Sequence, residues 1–447
     1  MSHRLKGAVV SYVNIGVKLG VTLLYTPILV KALGMDGYGL FSLVGAIAAY
    51  LYIFDFGIND SVLRFFVAHE QDQQARDGFL GRMLSFYALL ALLIMAATVF
   101  LISNINLFFS DSLSITQLAT LKEMVLVTGI GAAVLIAFNP IAALLQAMEQ
   151  FVFLRSLDIF STILSTFITV ILLNHGYGVL MVVSVMTVAI VLQVLLRIIY
   201  LSFPLRVSVR YRLPNKAELN RVFKYALPIF VSIIVETVFW KLDNLLIASI
   251  LGAAPVAIYA IGVTFNKYFM SFATAISRIM TPEIVRQVDS GSNPTDLTKM
   301  MIRISRWQAL ILLPILSGLI VFGQRFLSQW LGSGFELSYY VMLAVICPYA
   351  LELIGNARNI VLQVKGLYWH KSIISASMAI INIPLTIWFI HMWGVFGAAL
   401  STGIAIFIGY VFIAVLLEIR VGIKAQTYLS ETMRGVLPVC VILTALG

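Results

Sequence analysis

Twelve long and predominantly apolar runs follow one another along this chain, and they constrain its fold more than any other feature of the sequence. A helix needs roughly 20 apolar residues to cross the hydrocarbon core of a bilayer. A membrane β-barrel would instead show segments of about ten residues with alternating polarity. Only 11% of the residues are charged, against about 25% in soluble domains. The runs therefore predict an all-α integral membrane protein and exclude a soluble enzyme, a fibrous repeat or a disordered chain.

The limits of the runs predict twelve transmembrane helices. These helices are expected at about 7–31, 38–66, 80–103, 124–148, 151–173, 177–203, 224–251, 254–284, 304–324, 339–364, 369–391 and 394–418. The first run is too long for a signal-peptide core and lacks a small-residue cleavage site after it, so it is predicted to be retained. A further apolar run begins near Val436. It has only about twelve residues, which are too few to cross the membrane. We expect the start of a thirteenth span or an interfacial tail there.

Lysine and arginine are distributed unevenly between alternate loops. If the amino terminus is cytoplasmic, the cytoplasmic segments hold nineteen of these residues, and the opposite loops hold only Lys31, Lys122 and Arg325. This asymmetry predicts a cytoplasmic amino terminus and a cytoplasmic segment after helix 12. The net charge of +10 then reflects topology and contact with anionic headgroups. Nucleic-acid binding is disfavoured, because the basic residues are dispersed over six loops with no binding motif.

The position of the most basic loop indicates how the chain is divided. This loop, at about 204–223, lies almost at the midpoint of the sequence and carries two prolines. It predicts a linker between an N-lobe at 1–203, with helices 1–6, and a C-lobe at 224–418, with helices 7–12. Residues 419–447 are then a cytoplasmic segment followed by the start of a further hydrophobic segment.

The two predicted lobes resemble each other in sequence. Residues 28–34 (ILVKALG) match residues 246–252 (LIASILG) at an offset of 218, and the Leu-Gln pair at 145–146 matches 362–363 at an offset of 217. Residues 175–179 (HGYGV) match residues 391–395 (HMWGV) at an offset of 216. Six helices separate equivalent elements, so both halves have the same orientation. The pseudo-two-fold axis is then expected along the membrane normal, as in transporters with parallel repeats.

Three segments also carry a family resemblance. They are the end of helix 1 at 26–34 (TPILVKALG), the helix 2 motif at 55–59 (DFGIN) and the opening of helix 12 at 393–399 (WGVFGAA). Together with the topology and the repeat, they resemble the polysaccharide transporter branch, the O-antigen flippases, of the multidrug/oligosaccharidyl-lipid/polysaccharide exporter superfamily. The resemblance spans the whole chain and is sharpest over about residues 8–66.

The resemblance implies a flippase of the bacterial inner membrane. Such a protein takes an undecaprenyl-diphosphate-linked oligosaccharide from the cytoplasmic leaflet and exposes it on the outer face by alternating access between the lobes. It uses no cofactor, has no catalytic residues, and would work beside the polysaccharide polymerase machinery. An ion-coupled multidrug exporter of the same superfamily is the alternative. A sugar facilitator would show a basic signature between helices 2 and 3, which is missing here.

Cations inside the spans are the candidate ligands of a diphosphate, which carries about two negative charges and pairs well with lysine and arginine. Four such cations have no carboxylate three or four residues away, the spacing at which helix side chains meet: Lys18, Lys241, Lys267 and Arg358. Arg64 is a secondary candidate at the cytoplasmic mouth. The alternative is pairing with carboxylates on other helices. Lys18 and Glu236, for example, occupy equivalent positions at an offset of 218.

Carboxylates inside the spans are candidates for coupling transport to a proton or Na⁺ gradient. Glu236, Trp240 and Asp243 share one face of helix 7, and Asp55 and Glu352 are further candidates. The alternative is that these carboxylates neutralise neighbouring lysines. The pairs Asp60–Arg64 and Arg155–Asp158 have helical spacing and predict local salt bridges or interfacial anchors.

The sequence contains no signature of an enzyme or of a metal site. The five histidines and two cysteines are scattered, without metal-ligand spacing. The longest outward loop, at about 104–123, holds only Asp111, Lys122 and Glu123 as charged residues. A membrane glycosyltransferase or polymerase is expected to carry catalytic groups in such a loop. Because no nucleotide-binding loop or nucleophile triad is present either, an enzyme is disfavoured.

Overall fold

The chain is helical throughout the part that can be described. The computed structural model describes residues 3–68, 72–207, 209, 211–291, 293–434 and 438. Every regular element within these ranges is a helix. Nine of the helices there are long and apolar enough to cross a membrane. The prediction of an all-α, multi-pass membrane protein is confirmed, whereas the predicted run after Val436 and the residue Cys440 lie outside the described residues.

Two of the nine helices extend over more than one predicted span. Helix α1 (His3–Tyr52) is interrupted at Gly34, which has φ 69° and ψ 179°. Helix α13 (Tyr368–Val421) is interrupted at Gly394, which has φ 58° and ψ −138°. Glycine is suited to both positions because it adopts positive φ without steric cost. Helix α9 (Ala253–Asp289) covers the predicted span at 254–284 but is not among the nine, so the count of twelve crossings stays a prediction.

The chain forms two compact units. Unit 1 contains Met1–Lys241 and Ala248–Ala254, and unit 2 contains Leu242–Ile247 and Pro255–Gly447. This division falls within helix α8 (Lys216–Leu251). The lobes at 1–203 and 224–418, with their linker at 204–223, stay predictions from sequence.

Unit 1 is built from the first eight helices. Besides α1 and most of α8, they are α2 (Ile58–Ala68), α3 (Gln73–Phe109), α4 (Ile115–Ala137), α5 (Asn139–Ala147), α6 (Phe151–Asn174) and α7 (Val179–Ser202). The core of this unit is formed largely by α2, α3 and α5, where Phe66, Met83 and Tyr87 are among the largest fully buried side chains. The ion pair between Arg82 Nε and Glu218 Oε2, at 2.9 Å, joins α3 to the first turn of α8.

Two of the predicted continuous spans in unit 1 are broken. The span at 38–66 is interrupted by a short 3₁₀ helix, Ile53–Asp55, followed by Phe56 and Gly57 at φ 53° and 65°. The span at 124–148 is interrupted at Phe138, directly before Asn139 and Pro140 at the start of α5. Apolarity alone does not reveal such breaks, because a helix that bends within the bilayer can remain equally apolar. The prediction of an uninterrupted helix at 38–66 was wrong, whereas the break at Phe138 lies where Pro140 is expected to kink the span at 124–148.

Unit 2 contains the remaining helices. Besides α9 and α13, they are α10 (Pro294–Leu331), α11 (Glu336–Ile354), α12 (Ala357–Val364) and α14 (Ala425–Met433). The predicted span at 339–364 is therefore also broken, and the break follows Gly355 rather than Pro348, which lies inside α11. The short helix α14 packs on α10, where its buried Tyr428 side chain hydrogen-bonds Ser305 Oγ at 2.5 Å.

The backbone conformations of the two units recur at the offsets found in the sequence. Gly34 and Gly252, which are 218 residues apart, both have positive φ and fully extended ψ, at 69° and 179° and at 94° and −170°. Glu149 and Gly366, which are 217 residues apart, both have left-handed φ values, at 56° and 72°. Since a non-glycine residue seldom adopts this conformation, its recurrence at the second pair supports the internal repeat.

Candidate functional site

A carboxylate lies in the interior of unit 2, surrounded by hydroxyl groups. Asp243, on the α8 segment that belongs to this unit, is only 2% exposed. Its Oδ2 accepts hydrogen bonds from the Tyr259 hydroxyl and, at 2.7 Å, from Thr402 Oγ1. Its Oδ1 accepts a longer one, at 3.5 Å, from Thr386 Oγ1. Three donors from α9 and the two halves of α13 therefore converge on one carboxylate.

A second layer of polar side chains surrounds these donors. Asn382 Nδ2 donates to Thr402 Oγ1 at 3.3 Å, and the hydroxyls of Thr386 and Ser401 are 2.6 Å apart. All six side chains are between 0 and 4% exposed. We call these residues the Asp243 cluster: Asp243, Tyr259, Asn382, Thr386, Ser401 and Thr402.

The fold of α13 explains how its two halves reach the same carboxylate. Asn382 and Thr386 are four residues apart and share one face of the first half. The interruption at Gly394 reverses the chain, so the second half packs back on the first. Gly397 permits this close approach, because a Cβ atom there would lie 2.0 Å from the carbonyl oxygen of Phe389. Thr386 and Thr402 are thereby placed beside each other.

The chemistry of the Asp243 cluster suits a proton or a hard cation. Within the described residues, no lysine or arginine forms an ion pair with Asp243, and no three His, Cys, Asp or Glu side chains are grouped as they would be around a transition metal. A buried carboxylate that lacks a cation is costly in a low-dielectric interior. Protonation, or an alkali cation held by the carboxylate and hydroxyl oxygens, removes this cost.

A second carboxylate borders a cavity in unit 1. Asp55 Oδ1 accepts a hydrogen bond from Asn139 Nδ2 at 3.0 Å, and its Oδ2 accepts one from the Asn59 backbone N–H at 3.3 Å. The fully buried Tyr87 interacts electrostatically with the same carboxylate. The cavity has a volume of about 290 Å³ and is lined by Tyr52, Asp55, Gly57, Asn59, Asp60, Leu135, Ile136, Asn139 and Ile233. Asp55 is thus a second candidate for binding a proton or cation.

The remaining predicted residues in unit 1 lie at different levels of exposure. Lys18 on α1 and Glu236 on α8 are both exposed, and no ion pair between them is found although both are described. Lys241 is half-buried on α8 and interacts with neighbouring groups. Lys18 and Glu236 therefore do not form the structural pair that their equivalent positions suggested.

The remaining predicted residues in unit 2 also differ from one another in exposure. Lys267 on α9 is exposed and, among the described residues, has no ion-pair partner. Arg358 on α12 is only 2% exposed, with its guanidinium 4.0 Å from the ring centroid of Tyr410 and its Nε donating to the Gly355 carbonyl at 3.1 Å. Glu352 interacts electrostatically with Arg358 and Lys371, although neither forms a salt bridge with it within the described chain.

The two predicted local salt bridges have different outcomes. Arg155 Nη1 lies 3.3 Å from Asp158 Oδ2, so this pair is confirmed. Asp60 and Arg64 do not form an ion pair, and the Arg64 guanidinium instead lies 4.7 Å from the ring centroid of Tyr225 on α8. The predicted salt bridge between Asp60 and Arg64 is therefore not formed, because a tertiary contact to an aromatic ring replaces the contact within the helix.

Sequence reasoning identified Asp243 but missed every group that hydrogen-bonds to it. Tyr259, Thr386 and Thr402 carry no charge and lie within predicted apolar runs. The spacing of Asn382 and Thr386, followed by Ser401 and Thr402 near the start of the next span, is a signal that could have indicated a polar surface buried within the C-lobe.

Comparison with known proteins identifies the family. The model of the polysaccharide biosynthesis protein family matches residues 5–288, well over half of the chain. A protein of Shigella flexneri described as an O-antigen transporter is 20% identical over 380 residues, which cover 85% of this chain and 89% of that protein. The chain therefore belongs to the polysaccharide biosynthesis protein family.

Solved structures share the fold. An inward closed structure of the lipid II flippase MurJ has a TM-score of 0.75 at 15% identity, covering 98% of this chain and 91% of that chain. An inward-facing multidrug resistance transporter of the MATE family, in the MOP superfamily, has a TM-score of 0.71 at 14% identity, covering 91% of this chain and 96% of that chain. The fold is that of these membrane transporters.

Proposed function

We propose that this protein is a flippase for a polyprenyl-diphosphate-linked oligosaccharide. It moves this lipid from the cytoplasmic to the outer leaflet of the bacterial inner membrane by alternating access, with its amino terminus in the cytoplasm, and supplies the polymerase machinery for a surface polysaccharide. The observation that carries the proposal is membership of the polysaccharide biosynthesis protein family across residues 5–288. The O-antigen transporter relative and the fold shared with a lipid II flippase support it.

Unpaired cations support this substrate over a drug. The fold alone does not discriminate, because it is shared with a multidrug transporter. An exporter of cationic drugs needs carboxylates exposed to its substrate, whereas a diphosphate needs cations. Lys18 on α1 and Lys267 on α9, both within spans predicted from sequence, are exposed and have no ion-pair partner among the described residues. A cation at membrane depth is costly unless it faces water or an anion, so these two lysines are our candidate ligands of the diphosphate.

Asp243 is our candidate for coupling transport to an ion gradient. Its burial and its three hydroxyl donors favour a bound proton or alkali cation over a structural salt bridge. Asp55, in the cavity of unit 1, is the second candidate. Its hydrogen bonds come from one amide side chain and one backbone N–H. Glu236 and Glu352 are weaker candidates, because Glu236 is exposed and Glu352 has two cations nearby.

The experiment that tests the function uses a strain from which the gene has been deleted. Surface polysaccharide is measured together with the sidedness of the lipid-linked repeat unit in inverted vesicles. We expect loss of surface polymer and accumulation of the glycolipid on the cytoplasmic leaflet. Normal polymer with increased sensitivity to cationic dyes would overturn the proposal and identify a drug exporter.

The coupling site is tested by comparing two isosteric variants in proteoliposomes. Asp243→Asn keeps the shape of the cluster but cannot bind or release a proton, and it is a poorer ligand for a cation. We expect uptake driven by an ion gradient to fall at least about tenfold, while exchange of lipid without a gradient is retained. Asp55→Asn is the matched comparison. If Asp55→Asn alone removes the gradient dependence, the assignment moves to the cavity of unit 1.

A further inference from the structure

Two arginines in unit 1 share a single carboxylate. Asp158 Oδ2 lies 3.3 Å from Arg155 Nη1, four residues into α6, and Asp158 Oδ1 lies 3.7 Å from Arg197 Nη2 on the neighbouring helix α7. Both carboxylate oxygens are therefore occupied. We call these three residues the arginine cluster. Its formal charge is +1, and within the described residues no other carboxylate forms an ion pair with either arginine.

The ion pair between Arg82 and Glu218 in unit 1 is balanced. Its contacts of 2.9 and 3.0 Å use both carboxylate oxygens, and no other ion-pair partner of either residue is found among the described residues. A one-to-one pair within a membrane protein neutralises itself. The arginine cluster does not, so its remaining positive charge has to be compensated by water or by an anion.

The guanidinium groups have donors that the protein does not use. Arg197 Nε is buried and has no hydrogen-bond acceptor in the described chain, although Arg197 Nη2 donates to Gln193 Oε1 at 3.1 Å. The side chain of Arg155 is 43% exposed, and only its Nη1 is engaged, by Asp158. A buried donor without an acceptor is costly. One exposed and one recessed guanidinium thus present unused donors around a carboxylate that is already fully engaged.

The position of the cluster along its helices suits a lipid headgroup. Arg155 is near the start of α6 and Arg197 is near the end of α7, each about 6–8 Å from the helix terminus at 1.5 Å per residue. The distribution of charged loops predicts that these two termini are cytoplasmic. Nearby, Phe153 and Tyr200 are stacked with centroids 3.8 Å apart, and Tyr200 donates to Gln150 at 2.9 Å. An aromatic pair with a polar end is typical of the headgroup region.

We infer that Arg155 and Arg197 bind the phosphate group of a membrane lipid in the cytoplasmic leaflet. Guanidinium groups match the geometry of phosphate oxygens, and basic pockets between membrane helices bind anionic headgroups. The phosphate belongs either to an anionic phospholipid or to a polyprenyl diphosphate, since both present the same group at this depth. The inference concerns binding of a lipid and does not depend on transport.

The test measures lipid binding to the purified full-length protein in detergent by native mass spectrometry. The probes are phosphatidylglycerol, a polyprenyl diphosphate and, as a zwitterionic reference, phosphatidylcholine. Arg155→Gln removes the exposed guanidinium and should weaken binding of the anionic lipids about tenfold. Asp158→Asn removes the internal competitor without changing the size of the side chain and should tighten it several-fold. Phosphatidylcholine binding should not change.

Opposite effects of the two variants distinguish a lipid site from a structural ion pair. If the ion pair is only structural, both variants should have a lower melting temperature. Anionic lipid binding should then be unchanged in both variants, or should change in the same direction in both. Either of these results overturns the inference. Asp296→Asn is the control, because Asp296 pairs one-to-one with Lys299 at the same i, i+3 spacing. A response to phosphatidylglycerol, to the polyprenyl diphosphate or to both supports the site and identifies the source of the phosphate.

A second readout protects the test against variants that fold poorly. Anionic lipid that binds only the folded protein raises its melting temperature by mass action. The increase on adding phosphatidylglycerol should be larger for Asp158→Asn than for the unmodified protein, and smaller for Arg155→Gln. Equal increases in all three proteins contradict the inference, whatever their absolute stabilities.

Discussion

Thr402 Oγ1 donates a hydrogen bond of 2.7 Å to Asp243 Oδ2, although 159 residues separate the two in the chain. Both side chains are buried, at 0% and 2% exposure. The contact joins α8 to the second half of α13 in the interior of unit 2. Because the hydroxyl is one of three donors to a carboxylate without a cation partner in the described chain, it is placed to adjust how tightly Asp243 holds a proton or cation.

Thr402→Val should therefore change the ion dependence of transport. The substitution preserves the shape of the side chain and removes the hydroxyl, and a hydrogen bond to a charged group contributes about 1.5–3 kcal/mol. We expect the ion concentration that gives half-maximal transport in proteoliposomes to change about tenfold. Thr402→Ser is the control, since it keeps the hydroxyl and should change it less than about threefold. Equal behaviour of the valine and serine variants would contradict the role of the hydroxyl.

Lys18→Ala and Lys267→Ala should each reduce surface polysaccharide about tenfold or more, because each removes a charge-assisted contact to the diphosphate. The measurement is surface polymer in the deletion strain, with the amount of protein in the membrane determined in parallel. Lys299→Ala is the control, because Lys299 is exposed and already paired with Asp296. Full activity in both single variants and in the double variant would remove these two lysines from the site.

Gly39→Ala should destabilise unit 1. A Cβ atom at Gly39 would lie 1.8 Å from the carbonyl oxygen of Ala253, so the backbone would have to move. Overpacking of this kind costs about 1–3 kcal/mol, and we expect the melting temperature in detergent to fall by roughly 5 °C. Gly45→Ala on the same helix is the matched control, because nothing lies within 4 Å of a Cβ atom there. Because alanine has the higher helix propensity, Gly45→Ala should not lower the melting temperature, and a comparable loss in both variants would contradict the packing explanation.

Arg358 and Tyr410 should be energetically coupled. The guanidinium lies 4.0 Å from the ring centroid, and Arg358 is only 2% exposed. A desolvated cation–π contact contributes about 2 kcal/mol, so Tyr410→Leu should lower the melting temperature by roughly 5 °C. The same change in an Arg358→Met background should have a much smaller effect, and Tyr410→Phe should be nearly neutral. An unchanged effect of Tyr410→Leu in that background would show that the ring acts without the cation.

The membrane class and most helix positions could be predicted from sequence, because the length of an apolar run relative to the bilayer is a local property. The breaks were harder to predict. The break at Phe138 directly precedes Pro140, whereas α11 continues through Pro348 and ends at Ile354, just before Gly355. A proline thus marks one break and not the other, because packing against neighbouring helices decides whether the lost hydrogen bond is tolerated.

Some contacts of charged side chains follow from local helix geometry, and others depend on tertiary packing. Arg155 and Asp158 are three residues apart on α6, and their pairing at 3.3 Å follows from helix geometry. The second cation on Asp158, Arg197, is supplied by another helix, and nothing in the local sequence indicates it. For Arg64, a tertiary contact replaces a local one. The Arg64 side chain packs against the ring of Tyr225 and does not pair with Asp60, four residues before it on the same helix.

The sequence by itself determined that this is an all-helical, multi-pass membrane protein. It also determined that residues 55–59 and the internal repeat resemble a polysaccharide transporter. It placed the carboxylate of Asp243 within a span. Only the tertiary structure decided what surrounds Asp243, because Thr386 and Thr402 are 143 and 159 residues away in the chain. Hydropathy is a sum over neighbouring residues and tolerates errors of several positions. A hydrogen bond requires two atoms within about 3 Å, so it depends on how each helix is rotated and where α13 bends.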